Sequence, residues 1–175
     1  KGTLYLYFAS REELVLNLYT NLNEAWMERF LAFERTCGDT DYEDFCIRFY
    51  QSFNVDRLLV DFAARVTTMF EPHVTQLAWI AAKQSQVRIA KRLGGMFCWK
   101  FKCGPSTGQR LAWAFLAGLS GAQQRAIDVD GRADIPADLQ KLSVVMTSRE
   151  VFLNMVLPLA PYANDQNKPF KKLSK

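Results

Sequence analysis

Apolar residues in this chain recur at helical spacing almost from end to end, and that period decides the fold class before anything else does. After Ser10, the residues Leu14, Leu18, Leu22, Trp26, Phe30 and Phe33 step along three or four at a time, with Glu12, Asn17, Asn21, Glu24 and Glu28 between them. Residues three or four apart share a helix face, so the pattern describes a long amphipathic helix with one buried stripe. Ser10-Arg11-Glu12-Glu13 has the S-x-x-E form of a capping box. In such a box the serine accepts from an orphan amide and the glutamate reaches back to the cap. The helix is predicted to run to about Thr36, with Gly38 as a left-handed stop.

The same signals repeat downstream. Thr40 and Glu43 form a second box, opening a helix whose stripe is Tyr42, Phe45, Cys46, Phe49 and Phe53. A third helix after Val55 turns Leu59, Phe62, Ala63, Val66, Met69 and Phe70 inward. Glu71-Pro72 ends it, because proline disfavours helical geometry at the residue before it. Thr75 to about Leu93 is predicted helical and Gly94-Gly95 is predicted to break it. Met96 to Cys103 is either a short helix or extended, and Gly104-Pro105 makes a turn. Ser106 with Gln109 can cap a helix over Leu111 to Ile127. Asp128 to Ala133 reads as a polar loop, and Pro136 suits the first turn of a helix. Thr147 and Glu150 can cap a last helix toward Pro161. No alternating strand pattern or internal repeat is visible. The expected fold class is all-α: a helical bundle over residues 11–163 with a basic tail at 164–175.

Composition narrows the function classes. Of 175 residues, 49% are apolar and 13% aromatic, which excludes a disordered chain. The net charge of +4 is too small to single out nucleic acid by itself. The longest strongly apolar run, Leu111 to Ala122, is well short of the roughly 20 residues that span a bilayer, so no membrane partner is expected. The opening residues carry no secretory signal. Cys37, Cys46, Cys98 and Cys103 are expected as free thiols in a reducing cytoplasm. Cys98 and Cys103 have no matching second pair, and His73 is the sole histidine, so no metal or other cofactor is expected. No H-E-x-x-H, paired C-x-x-C, phosphate-cradling glycine loop or G-x-S-x-G occurs. Glu71 beside His73 more often satisfies a helix end than catalyses a reaction. An enzyme is not expected.

The identity signal lies at the amino end. Lys1-Gly2-Thr3-Leu4-Tyr5-Leu6-Tyr7-Phe8 is followed by Ala9-Ser10-Arg11-Glu12-Glu13-Leu14. This block resembles the end of the helix-turn-helix of TetR/AcrR-family transcriptional regulators and the start of their connecting helix. There a small or basic residue, G-T-L-Y-x-Y/H-F, a two-residue turn, Lys or Arg, two polar residues and Leu follow in that order. Each element is present over residues 1–14. The resemblance implies that residues 1–10 are the last part of a helix-turn-helix DNA-binding domain. The first two helices and most of the third are expected upstream of Lys1, and without them DNA binding is expected to be poor. It further implies DNA-contacting positions for Thr3, Tyr5, Tyr7 and Arg11, groove-facing positions for Lys1 and Gly2, and packing roles for Leu4 and Phe8. The residue chemistry agrees, since the hydroxyls of Thr3, Tyr5 and Tyr7 can reach phosphates or base edges. Arg11, in the first turn of a helix, opposes the helix dipole, a cost more easily understood if it faces a phosphate. One of Tyr5 and Tyr7 can equally be ordinary aromatic packing.

For residues 11–163 the resemblance is in layout and implies a connecting helix followed by an effector-binding and dimerisation domain. The expected function is a ligand-responsive, homodimeric, cytoplasmic repressor, released from operator DNA by a small, mostly apolar effector. Candidate pocket residues are Phe62, Met69, Phe70, Trp79, Phe97, Trp99 and Trp113, with His73 as a polar anchor, although each can simply fill a core. Small residues at Ala114, Ala117, Gly118 and Gly121 suit close helix approach. With Val151, Phe152, Met155 and Leu159 they form a candidate dimer interface, or else pack within one chain. A twofold dimer would set two recognition helices roughly 34 Å apart. Trp26 and Phe30 lie on the helix that would carry the shift. The alternative is a helical carrier or sensor of hydrophobic small molecules with no DNA role.

Overall fold

The computed structural model describes residues 7–63, 65–130 and 146–163, and every regular element among them is helical. Helix α1 spans Arg11–Thr36, α2 Tyr42–Asn54 and α3 Arg57–Ala63. A π-helical turn, Val66–Phe70, and a 3-10 turn, Glu71–His73, lead into α4, Gln76–Phe101. Helix α5 is Pro105–Asp130 and α6 is Ser148–Val156. A 3-10 turn, Leu157–Leu159, and the short α7, Ala160–Ala163, close the described chain. The all-α expectation holds. The expected helix at Pro136, most of the loop after Asp128 and the tail lie outside the described residues.

Capping chemistry sets most of the starts. Ser10 Oγ accepts from the Glu13 amide at 3.1 Å, and Thr75 Oγ1 from the Ala78 amide at 3.4 Å. Thr147 and Glu150 form a complete box, with Glu150 N–H to Thr147 Oγ1 at 3.2 Å and Thr147 N–H to Glu150 Oε2 at 2.7 Å. The box expected at Thr40 moves by one residue. Asp41, a stronger acceptor, takes the Asp44 amide at 2.7 Å, while Thr40 donates to the Gly38 carbonyl. Gly38 is not a left-handed stop; Cys37 ends α1 in extended geometry, and no described glycine has positive φ.

Helices α1 and α4 run side by side in the same direction, and polar contacts step along their seam. Glu13 meets Thr75, Glu24 meets Ser85 and Arg88, Glu28 meets Arg92, and Glu34 meets Lys100. A parallel pair needs a long return path, which α2, α3 and the two turns supply. The buried face of α1 is Leu16, Tyr19, Asn23, Trp26, Met27, Phe30, Leu31 and Glu34. Leu18 and Phe33, assigned to the stripe from their spacing, are 41% and 52% exposed. A row of strict fourth residues advances by roughly 40° per step at 3.6 residues per turn, so over this length it winds off the core.

The third helix was expected to reach Phe70 but ends as an α-helix at Ala63, and the chain widens into a π turn and then tightens into a 3-10 turn that contains Pro72. The predicted break at Gly94-Gly95 does not occur, and α4 continues to Phe101. Gly94 is buried against α5, where an added Cβ would sit 3.2 Å from the Gln109 Cα. A Cβ on Gly108 would lie 2.5 Å from Cys98 Sγ and 2.6 Å from the Gly94 carbonyl oxygen. Glycine costs roughly 1 kcal/mol in a helix interior, and this close crossing offsets it. Lys102, at φ 57° and ψ 23°, ends α4 in left-handed geometry with its ammonium on the Trp99 carbonyl at 2.8 Å. Pro105, not Ser106, opens α5.

Between the helices lies an aromatic core. Phe49 and Phe115 meet edge-on with centroids 5.2 Å apart, and Phe97 and Phe115 do so at 4.9 Å. Trp26 joins through Phe49 and Phe53, and Phe152 of α6 through Phe115. Such pairs add about 0.5–1.5 kcal/mol each beyond the area they bury.

Candidate functional site

A pocket of about 190 Å³ opens into the bundle beside this core. Helix α1 supplies Tyr19, Asn23 and Trp26, spaced so that one face carries all three. Phe53 and Ala63 close it from α2 and α3, and Gln86 and Ile89 from α4. Trp113, Leu116, Ala117 and Ser120 come from α5. Trp26, Phe53 and Ile89 are almost fully buried, whereas Trp113, Ala117 and Ser120 are exposed, so the mouth lies on the α5 side.

The lining is apolar with a few polar groups set into it, the usual make-up of a small-molecule site. Asn23 donates to the Tyr19 hydroxyl at 3.4 Å. Burial, and secondly the charge of Glu71, push the Tyr19 hydroxyl up to about 12, so it stays protonated. The Trp26 ring N–H is engaged by Ser52 Oγ at 3.0 Å. The free polar capacity of the pocket therefore rests with Tyr19, Asn23, Gln86 and Ser120. An apolar cavity of roughly 150 Å³ holds benzene, so this space fits a ligand on the scale of one aromatic ring with a polar substituent.

Of the residues singled out for a pocket, the structure brings Trp113 to this one. Phe97 is fully buried among Phe45, Phe101 and Phe115. Phe62 and Phe70, both half-buried, meet edge-on with centroids 6.2 Å apart, and Met69 is exposed. His73 is exposed in its 3-10 turn, where its carbonyl accepts from Ser10 Oγ at 3.4 Å. Trp79 lies on the surface, its ring N–H donating to Glu71 Oε2 at 3.3 Å, and Trp99 lines a separate groove. Sequence reasoning passed over Tyr19, Asn23, Gln86 and Ser120. The available signal was Tyr19-x-x-x-Asn23-x-x-Trp26, polar groups on the row that turns inward.

At the amino end, Tyr7 is 77% exposed and Arg11 is exposed at the start of α1. Lys1, Gly2, Thr3 and Tyr5 lie outside the described residues. Just behind Arg11, one carboxylate ties two helix starts together. Glu13 Oε2 accepts from the Ala9 amide at 2.9 Å and Oε1 from the Thr75 amide at 3.1 Å. The Thr75 hydroxyl also donates to Oε1. These bonds, that hydroxyl's first and the Ala9 amide's next, hold the Glu13 carboxyl below its usual range.

The candidate dimer residues divide. Gly118 is buried, and a Cβ there would meet Phe152, Met155 and Val156 at 3.6–3.7 Å, so it packs α5 on α6 within the chain. Phe152 is fully buried. Ala117 and Met155 are exposed, and Gly121 is exposed with nothing within 4 Å of a Cβ. Ala114, Val151 and Leu159 are half-buried.

All four cysteines are free thiols. No group of three metal-ligating side chains occurs among the described residues, and no described helix is long and apolar enough to cross a membrane. Compared with known families and with curated proteins, the chain matches none.

Proposed function

We propose that this chain is the sensing part of a TetR-type transcriptional regulator, a homodimeric repressor whose effector is a small, mostly apolar molecule with one polar group. The observation that carries the reading is that a single helix serves both ends. Helix α1 lines the inner pocket with Tyr19, Asn23 and Trp26 and begins at Arg11, directly after the block that resembles a recognition helix. Only about 12 Å of helix separates Arg11 from Tyr19. A ligand seated against Tyr19 and Asn23 therefore bears on the element that would set the recognition helix.

Release then follows from differential binding. The effector favours the arrangement of α1 that fits the operator poorly, and a coupling of about 1–3 kcal/mol is typical of such linkage. The same arrangement without a DNA role would be a carrier of hydrophobic molecules.

The test takes the natural full-length protein through selection of binding sites from random duplex DNA. It is expected to select a palindrome, to bind it with strong salt dependence, and to release it on adding a single-ring effector found by thermal-shift screening. Gln86→Trp, which fills the pocket from its α4 wall and lies outside the candidate dimer face, should abolish release and leave operator affinity intact. Selection of no sequence would refute the DNA reading, and undiminished release from Gln86→Trp would refute the pocket.

A further inference from the structure

Gly94 is explained by its crossing with α5; its neighbour Gly95 is not. Gly95 is exposed in the interior of α4, and a Cβ there would meet nothing within 4 Å. A helix gains stability from alanine at such a position, so packing gives no reason for glycine. What its missing side chain leaves open is a groove of about 460 Å³ between α1 and α4, on the outside of the bundle. Leu31 and Met96, both buried, form the floor. Trp99, half exposed, stands at one end, and Arg35 and Arg92 line the groove as well.

The charges there are unbalanced. Arg35 has no hydrogen-bond or ion-pair partner among the described residues. Arg92 pairs with Glu28 at 3.1 Å, an ion pair with both partners well exposed and correspondingly weak, and otherwise feels the Glu24 carboxylate only at longer range. The Lys102 ammonium lies 6.0 Å from the Trp99 ring centroid and adds positive potential beside it. Guanidinium groups bind carboxylates through paired, charge-assisted hydrogen bonds, and an indole with an apolar floor suits a flat ring.

We propose that this groove is a second ligand site, taking a small aromatic carboxylate whose ring lies over Leu31, Met96 and Trp99 and whose anion pairs with Arg35 and Arg92. It is separate from the inner pocket and stands whether or not the regulator reading does.

Calorimetric titration of the chain with 1-naphthoate tests it. Arg35→Glu and Gly95→Leu are each expected to weaken binding roughly tenfold or more, and Trp113→Ala, in the inner pocket, to leave it unchanged. The uncharged analogue 1-naphthalenemethanol should bind roughly tenfold more weakly than the acid. Gly95→Leu should melt at or above the parent temperature, and a lower one would mean that the glycine serves packing after all. Should Gly95→Leu fail to fold, Arg35→Glu, a change at an exposed side chain, decides alone. No binding by the parent chain, equal affinity for the alcohol, an unaffected Arg35→Glu, or a loss confined to Trp113→Ala would overturn the proposal.

Discussion

The α1–α4 seam is held by a glutamate at each end, and the two ends are built on opposite principles. At the amino end, Glu13 collects backbone amides and a hydroxyl from Ala9 and Thr75, neutral donors at two helix starts. At the carboxyl end, Glu34 is fully buried and meets two cations. Arg48 of α2 grips it with two nitrogens, at 2.7 and 3.2 Å, and Lys100 of α4 lies at 2.8 Å with its side chain only 4% exposed. Removing a partner from a fully buried ion pair is costlier than removing one neutral donor from a part-buried carboxylate. One end is therefore fastened by opposite charges, and the other is clasped by neutral donors around a single carboxylate. A bundle made this way is expected to open first at the end that adjoins Arg11.

That difference has measurable consequences. Glu34→Ala strands the Lys100 ammonium in the interior and should cost about 3–5 kcal/mol in urea unfolding. A loss below 1 kcal/mol, of the order expected at the other end, would erase the contrast. Next in size is Gly108→Ala, at the tight α4–α5 crossing beyond the fastened end. Its Cβ would overlap Cys98 Sγ and the Gly94 carbonyl, and overpacking of this kind should cost about 1–3 kcal/mol, read as a lowered melting temperature. Smaller still is Ser10→Ala at the clasped end, which removes the N-cap of α1 and should cost about 1 kcal/mol. Hydrogen exchange sharpens the last comparison: the amides of the first turn of α1 should lose protection while those around Phe30 keep theirs.

The fold was largely legible because helical periodicity and caps are local signals. Ser10, Thr75 and the Thr147–Glu150 pair mark helix starts in the sequence and in the structure alike. Gly94-Gly95 misled because a glycine pair reads as a break unless its neighbour is known, and Gly108, which makes the crossing possible, is remote in the pattern. The stripe of α1 misled because its row of fourth residues winds around the helix. The pocket was harder to see. Ring chemistry carries no direction, so the aromatic residues picked for it scatter between the core, the surface, the inner pocket and the outer groove. Polar residues that turn inward, Tyr19 and Asn23, look like any others until the buried face is fixed.

Acidification separates the two ends most finely. The Glu13 carboxyl titrates below its ordinary value of 4.5 because the Thr75 hydroxyl and the Ala9 amide stabilise its charged form. A carboxyl depressed in the folded chain lends stability that is whole above its unfolded pKa and is lost as pH falls through the folded one. The clasp is therefore complete at neutral pH and weakens only on descending below about 4.5, as the Ala9 and Thr75 amides lose their charged acceptor. Carboxyl and amide chemical shifts followed by NMR should show Glu13 and Thr75 titrating together in that range. Glu13→Gln keeps the shape of the side chain but not its charge, and should abolish this step and leave the Thr75 amide exchanging faster at neutral pH. If Thr75 instead titrated alike in Glu13→Gln and in the parent chain, another group would be holding the start of α4. The amino end of the seam would then have no claim to move separately from the rest.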